Sequence, residues 1–185
     1  MKGMVFTEFL EMVEDTFGIE MTEDVITAAN LASGGAYTAV GNYDHGEMLA
    51  MVDALSAASG IPNQSLARTF GAYLFKRFTT LYPQFFVDVD NAFDMLARID
   101  GYIHVEVHKL YADAELPHIL TERDAAGRMR LLYRSTRPFA DLADGLIRGC
   151  IEHFGETIDM VRVKTDDTAG AQAVFVLTRT IPEPA

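Results

Sequence analysis

The segment LLYRSTRP, residues 131–138, places three polar side chains at alternate positions. It has the pattern of a β-strand, because two leucines lead into a β-prone run that Pro138 ends. Alternate residues of a strand share one face, so Tyr133, Ser135 and Arg137 would project together. A phenol, a hydroxyl and a guanidinium in a row can bind one or two carboxylates or a phosphate, although a solvated strand face can carry the same residues.

A histidine in the segment NAFDMLARIDGYIHVEVHKLY, residues 91–111, is the second candidate for chemistry. On a helix, His104 would lie beside the main apolar arc, in line with Phe93, Ala97 and Tyr111 and with no acid in that narrow stripe. Such a low-dielectric position favours the neutral imidazole, which is also the form that binds metals.

Three interpretations of this histidine stay open. A core histidine commonly bonds a backbone carbonyl. His104 and His108 are four residues apart and could share a zinc ion, but the glutamate of a metalloprotease HExxH helix is absent and no third ligand is evident. A single axial ligand to haem iron needs one neutral imidazole within apolar walls, and the two propionates of a haem require an anion clamp such as the one in 131–138.

Composition excludes several classes of protein. The chain has 185 residues with 15 Lys+Arg against 27 Asp+Glu, and its net charge of −12 argues against nucleic acid or an anionic membrane as partner. The single cysteine, Cys150, excludes an intrachain disulfide and a cysteine-cluster metal site. The sequence has neither a signal-peptide pattern nor an apolar run near the roughly 18 residues that cross a bilayer, so we expect a cytoplasmic protein.

The elements that would position these residues fall into two regions. Helical periodicity dominates the first two thirds, and β-like periodicity appears late, which is typical of an α+β fold in one domain. We expect a helical N-terminal lobe over 1–60 and a C-terminal lobe of helices and a small antiparallel sheet over 61–185. The predicted helices cover 2–17, 22–31, 45–59, a segment that begins at the N-cap Asn63 and ends before Tyr82, 89–112 and 139–155. For the helix over 45–59, Asp44 is the predicted N-cap and Gly60 the predicted stop. The predicted strands cover 128–136, 157–165 and 172–180.

The order of these motifs resembles a haem nitric-oxide/oxygen-binding (H-NOX) domain of the stand-alone bacterial type, related to the haem sensor domain of soluble guanylate cyclase. The most specific element is Y-x-S-x-R, which begins 29 residues after the helix histidine. The resemblance covers nearly the whole chain and is carried by MKGMVF (1–6), FGAYLF (70–75), IHVEVHKLY (103–111), LPHI (116–119), LLYRSTR (131–137) and GLIRG (145–149).

The resemblance implies a haem b, an iron protoporphyrin IX, buried between the two lobes. It assigns His104 as the proximal iron ligand and Tyr133, Ser135 and Arg137 as ligands of the haem propionates. Pro117 matches the family proline that presses on the macrocycle. The sequence has no C-x-x-C-H motif, so the haem would be held without a covalent bond.

The resemblance also implies which gas is bound. In oxygen-binding relatives, a tyrosine nine residues beyond the motif tyrosine donates a hydrogen bond to O2, and here that position is Leu142. Bound O2 needs a donor, whereas NO binds ferrous haem without one, so the pocket should favour NO and also admit CO. The hydroxyl of Tyr73 could act as such a donor and overturn this inference, but we expect its side chain to point away from the ligand. The other residues expected around the ligand are Val5, Phe9, Leu74, Phe78 and Leu146.

Under this resemblance the protein is a sensor and not an enzyme. NO would release His104 from the iron, the lobes would shift, and a histidine kinase or a cyclic-di-GMP enzyme would respond to the new shape. The acidic surface predicts a basic docking face on that partner. The acidic residue that supports Arg137 stays open between Asp44 and Glu47, since alignment leaves His45 nearest that position.

Three other functions stay open. The apolar pocket and the arginine would also suit a carrier of a fatty acid or another small carboxylate. An undetected donor would make the protein an oxygen-binding haem protein. Acid–base pairs for an enzyme are available in Glu106 with His108 or Asp141 with Asp144, but an apolar pocket without a general acid disfavours haem peroxidase chemistry.

Overall fold

The computed structural model describes residues 1–125, 127–163 and 170–180. Helices dominate the first 110 residues, and the strands lie beyond them, which confirms the α+β prediction. The described residues form the α-helices α1 (Gly3–Phe17), α2 (Ile19–Ala29), α3 (His45–Ser59), α4 (Asn63–Leu81), α5 (Ala92–Ala97), α6 (His104–Leu110) and α7 (Ala140–His153), and the strands β1 (His118–Arg123), β2 (Arg128–Arg134), β3 (Ile158–Val163) and β4 (Gln172–Arg179).

The ends of α3 follow the capping residues in the sequence. The Asp44 carboxylate accepts a hydrogen bond of 2.6 Å from the N–H of Gly46, which satisfies a donor of the first turn. Gly60 ends the helix in the left-handed conformation with φ of 73°. Both predictions are confirmed. The prediction that Asn63 caps α4 is wrong by one residue, because Pro62 occupies the N-cap position and Asn63 begins the helix.

The predicted single helix over 89–112 is interrupted. After the 3₁₀ turn Pro83–Phe86, the helix begins three residues later than predicted, as α5 at Ala92, where the side chain of Asn91 caps it. Between α5 and α6 the chain widens into a π-helical turn over Ile99–Ile103, in which the N–H of Ile103 donates to the carbonyl of Arg98 at 3.0 Å. Turns of this kind are rare and frequently mark functional sites. This one places His104 at the start of α6.

The sheet is antiparallel with strand order β1-β2-β4-β3. Strand β1 was not predicted, because its sequence HILTER has short and mostly exposed apolar positions. The prediction for 157–165 is confirmed over Ile158–Val163, and residues 164–165 lie outside the described part of the chain. One face of β2 and β4 is buried and forms the floor of the C-terminal core, with Met129, Leu131, Tyr133, Ala173, Phe175 and Leu177.

Helix α4 connects two hydrophobic cores. Leu66, Phe70 and Leu74 pack with α1–α3, whereas Phe75 packs with the sheet core. Helix α7 crosses α4 at backbone contact distance: a Cβ atom added to Gly71 would lie 2.3 Å from the carbonyl oxygen of Leu142, and one added to Gly145 would lie 2.1 Å from that of Arg68. The lobe boundary at 60/61 stays a prediction. None of the helices described here is long and apolar enough to span a membrane.

Candidate ligand-binding site

Two adjoining cavities lie between the helices α1, α4 and α7 on one side and the segment from α5 to β1 on the other. Their volumes are about 270 and 400 Å³. The walls of the smaller one are almost entirely aliphatic and aromatic, which is typical of a site for a large apolar ligand. Residues that line both cavities include Val5, Phe78, His104, Pro117, Tyr133 and Leu146.

His104 lines both cavities. Its Nδ1 atom lies 3.1 Å from Oδ1 of Asp100, and only 15% of its side chain is exposed. Burial lowers the pKa of His104, and the Asp100 carboxylate opposes this shift without reversing it. A neutral imidazole that donates from Nδ1 to Asp100 leaves the Nε2 lone pair for a metal. A carboxylate behind a histidine is the usual support of a metal ligand.

Asp100 supplies an acid beside His104 that the narrow stripe of Phe93, Ala97 and Tyr111 did not include. The two residues are four apart, a spacing that brings side chains together on a helix and that could have identified the pair. The same oxygen of Asp100 accepts the N–H of Ile119 at 3.3 Å, so it also fixes the start of β1 beside the helix. Among the described residues, no group of three or more His, Cys, Asp or Glu side chains could hold a metal ion, which leaves the zinc interpretation of His104 and His108 without support.

The polar end of the larger cavity is formed by the predicted anion clamp. Tyr133, Ser135 and Arg137 all line this cavity. The prediction that they share a strand face is wrong, because β2 ends at Arg134 and the last two residues lie in the following turn. The hydroxyl oxygen of Ser135 accepts the N–H of Arg137 at 3.0 Å and thereby shapes this turn. Burial raises the pKa of Tyr133, so its phenol stays a neutral donor.

The acidic partner of Arg137 is Glu115, in the loop between α6 and β1. Its carboxylate accepts from Nη2 of Arg137, and its main-chain oxygen lies 3.4 Å from Nη1. Neither proposed candidate takes this role, since Asp44 caps α3 and Glu47 accepts from the hydroxyl of Tyr37 at 2.7 Å. Nothing in the sequence indicates Glu115, because the pair joins two loops that are 22 residues apart.

Most of the residues expected around a gas ligand line the cavities. Phe9 does not line either of them: it is fully buried in the N-terminal core, where its ring meets that of Phe70 at a centroid distance of 5.1 Å. Those that do line them are Val5, Leu74, Phe78, Leu142 and Leu146.

Two tyrosines nearby have their hydroxyls engaged. The hydroxyl of Tyr73 donates to Asp15 at 3.2 Å, and burial raises the pKa of Tyr73 to about 12. The prediction that its side chain points away from the pocket is confirmed. Tyr82, which was not predicted as a site residue, lines the smaller cavity and donates to the sulfur of Met4 at 3.3 Å.

The pairs considered for acid–base chemistry are engaged elsewhere. Glu106 pairs with Lys109 rather than with His108. Asp141 lies 3.1 Å from Arg68 and 3.0 Å from Arg162, and Asp144 lies 2.6 Å from Arg148. These contacts hold the three carboxylates in ion pairs with basic side chains and give no support to an acid–base role at either pair.

Comparison with known proteins gives a consistent assignment. The haem-NO-binding (HNOB) family matches residues 2–162. The unliganded Fe(II) H-NOX protein mutant A71G from K. algicida is 36% identical with a TM-score of 0.92, over 99% of this chain and 98% of that one. The H-NOX from Shewanella woodyi, solved bound to IWP-051 in the Fe(II)CO state, is 41% identical with a TM-score of 0.83, over 100% and 97% of the two chains.

A more distant structure has the same fold. The H-NOX protein from S. oneidensis in the Fe(II)NO state is 23% identical with a TM-score of 0.89, over 98% of this chain and 100% of that one. Among curated protein sequences, no match to this chain reaches significance. Since the family match spans most of the chain and agrees with the histidine and the Y-x-S-x-R motif placed in one site, the chain belongs to the H-NOX family of haem-NO-binding domains.

Proposed function

We propose that this protein is a haem-based sensor of nitric oxide. One observation carries the proposal: His104, which is largely enclosed and bonded to Asp100 through Nδ1, and the Tyr–Ser–Arg clamp line the same cavity. The family match supports haem as the ligand. Iron needs the first feature, and the carboxylates of a porphyrin need the second.

The residues present fit a haem. His104 would bind the iron through Nε2, and Tyr133, Ser135 and Arg137 would bind the propionates. The only cysteine, Cys150, is buried and the sequence lacks C-x-x-C-H, so the group we propose is haem b held without a covalent bond. When bound, the ferrous iron supplies a coordination site for a diatomic gas and a bond to the imidazole that NO weakens strongly.

The side chains of the cleft favour NO over O2. Bound O2 carries partial negative charge and is held by a hydrogen-bond donor, whereas NO does not need one. Leu142 offers no donor, and the hydroxyls of Tyr73 and Tyr82 donate to Asp15 and Met4. By the same argument the cleft admits CO.

The fold offers a route from His104 to the N-terminal lobe. His104 begins α6, and the loop after α6 leads to Pro117, which lines both cavities. In that loop, Oδ1 of Asp113 lies 2.8 Å from Nζ of Lys2, at the start of α1. If the imidazole were released from a bound haem, α6 would be free to move, and this ion pair would connect that movement to α1.

A partner protein would respond to the two shapes through its different affinity for each. We expect a cytoplasmic histidine kinase or cyclic-di-GMP enzyme, and therefore a cytoplasmic sensor with no chemistry of its own. The net charge of −12 favours a basic docking face on the partner.

A carrier of a small carboxylate or lipid is the second candidate. The observation that favours it is that Arg137 and an apolar cavity suit a fatty acid as well as a porphyrin. The colour of the purified protein separates the two, since a carrier is colourless when haem is supplied and a haem protein is not.

The release step can be tested by measuring the distance between the lobes. The substitutions Glu23→Cys on α2 and Glu122→Cys on β1, in a Cys150→Ala background, would carry spin labels for distance measurement. In the haem-loaded protein, NO should change this distance. In His104→Gly, free imidazole added to the solution replaces the missing side chain but is not linked to α6. The distance in this variant should therefore already match that of the NO-bound parent protein and should not change with NO. A response equal to that of the parent protein would contradict the release model.

A further inference from the structure

The loop over residues 111–117 brings two carboxylates to the polar end of the larger cavity. Asp113 pairs with Lys2, and Glu115 pairs with Arg137. The cations point inward, with 13% of the Arg137 side chain exposed, whereas 70% of the Glu115 side chain is exposed. All four residues line the cavity, the cations on its enclosed side and the acids at its solvent-exposed edge.

Glu115 engages both terminal nitrogens of the guanidinium. Nη2 donates to its carboxylate, and Nη1 lies 3.4 Å from its main-chain oxygen. An incoming carboxylate that forms two parallel hydrogen bonds with an arginine needs two adjacent N–H groups. At least one of these would be Nη2, which Glu115 holds. Nη2 carries two N–H groups, so a propionate that takes the edge formed by Nη1 and Nη2 competes directly with Glu115, which already binds both atoms of that edge.

We infer that Glu115 is an internal competitor for the propionate clamp and sets how tightly the clamp retains a haem. This inference rests on the proposed function and adds a specificity-determining residue outside the Y-x-S-x-R motif. Displaced from Arg137, the Glu115 carboxylate stays within the same short loop and repels the propionate that replaced it. Both effects weaken haem retention relative to a chain with a neutral side chain at this position.

Glu115→Gln isolates the charge. Glutamine has nearly the same shape and retains a carbonyl oxygen for Arg137, but it neither pairs as an ion nor repels a propionate. Because the Glu115 side chain is largely exposed, we expect a modest effect: haem should leave the variant about two- to fivefold more slowly than the parent protein.

The test is transfer of haem from the loaded protein to excess apomyoglobin, followed by absorbance. Glu122→Gln is the matched control, because Glu122 also forms an exposed ion pair, 3.6 Å from Arg130, and does not line either cavity. Haem dimethyl ester is the matched ligand, since it has the same ring and iron but no carboxylates. Slower release from Glu115→Gln with haem, and unchanged release with the ester, is the expected result.

Other outcomes overturn the inference. Faster release would mean that Glu115 positions Arg137 for the propionate. An equal change with haem and its ester would mean that the effect does not act through the carboxylates, and no change would mean that there is no competition. Failure of the parent protein to take up haem would overturn the proposed function itself, which the absorption spectrum shows before any release rate is measured.

Discussion

The imidazole Nδ1 atom of His104 lies 3.1 Å from Oδ1 of Asp100, one turn earlier in the chain. The π-helical turn between α5 and α6 contains Asp100 and ends immediately before His104, so the two side chains meet where the regular helix is interrupted. A hydrogen bond of this kind fixes the orientation of the ring and makes Nε2 a stronger donor to a metal.

Replacing the carboxylate should weaken the metal bond. In Asp100→Asn the support of the imidazole loses its charge, so we expect a lower iron–histidine stretching frequency in the resonance Raman spectrum of the ferrous protein. Haem release should be about tenfold faster, at the lower end of the usual effect of such supporting residues. Glu106→Gln, on the same helix, is the control. A stretching frequency equal to that of the parent protein would show that Asp100 does not tune His104.

Arginine at the clamp should not be replaceable by lysine. Arg137→Lys keeps the positive charge but cannot form two parallel hydrogen bonds to one carboxylate. Loss of one charge-assisted hydrogen bond costs about 1.5–3 kcal/mol, so haem release should be at least about tenfold faster. Arg134→Lys, at an exposed position three residues earlier, should leave the rate unchanged. Equal rates in the two variants would remove Arg137 from the propionate site.

A hydroxyl placed at residue 142 should confer oxygen binding. Leu142 lines the larger cavity, so a tyrosine there can bring a donor to the ligand. We expect haem-loaded, reduced Leu142→Tyr to form a stable oxygen complex in air, seen by absorption. Leu142→Phe has a similar ring without the donor and should not form it. If both variants or neither of them bound O2, the hydroxyl would not be the deciding group.

The ion pair between Asp94 and Arg123 should give a defined pH dependence of stability. Arg123 donates to Asp94 at 2.7 Å, and this bond lowers the pKa of Asp94 below its ordinary value of 3.8. The unfolded chain therefore binds the proton first as the pH falls, so the stabilisation is complete above about pH 5 and disappears as the pH drops through the folded pKa. Because the pair is about half exposed, the expected size is below about 1 kcal/mol.

Urea unfolding of the parent protein and Asp94→Asn at several pH values checks this expectation. The difference in the free energy of unfolding should be constant from pH 6 to 5 and should shrink below pH 4. Asp24→Asn, at an exposed position on α2, serves as the control for general charge effects. A difference that grows towards pH 3 would contradict the assigned direction.

Sequence patterns predicted the elements where local signals are strong. Helix α3 follows from Asp44 and Gly60, which supply a cap and a stop by local chemistry. Strands β2 and β4 follow from their apolar alternation. Strand β1 was not predicted because its residues are mostly exposed and show no clear apolar alternation. It is stabilised by pairing with β2 alone, as in the pair of Ile119 with Tyr133.

The candidate site was predictable only in part. Family motifs identified His104 and the residues of the clamp, and the structure places them around one cleft. The supporting acids were not predicted. Asp100 has the four-residue spacing from His104 that could have identified it, whereas Glu115 reaches Arg137 between two loops, a contact that depends on the tertiary fold.

The central claim is that ferrous haem held by His104 binds NO and not O2. Absorption spectra of the haem-loaded, reduced protein, recorded without ligand, in air and with NO, test it most directly. We predict a five-coordinate ferrous spectrum that gives no stable oxygen complex in air and shifts completely with NO. A stable oxygen complex would contradict the selectivity assigned to Leu142. Failure to take up haem would contradict the assignment of His104 as an iron ligand and would favour a carrier in which Arg137 binds a carboxylate.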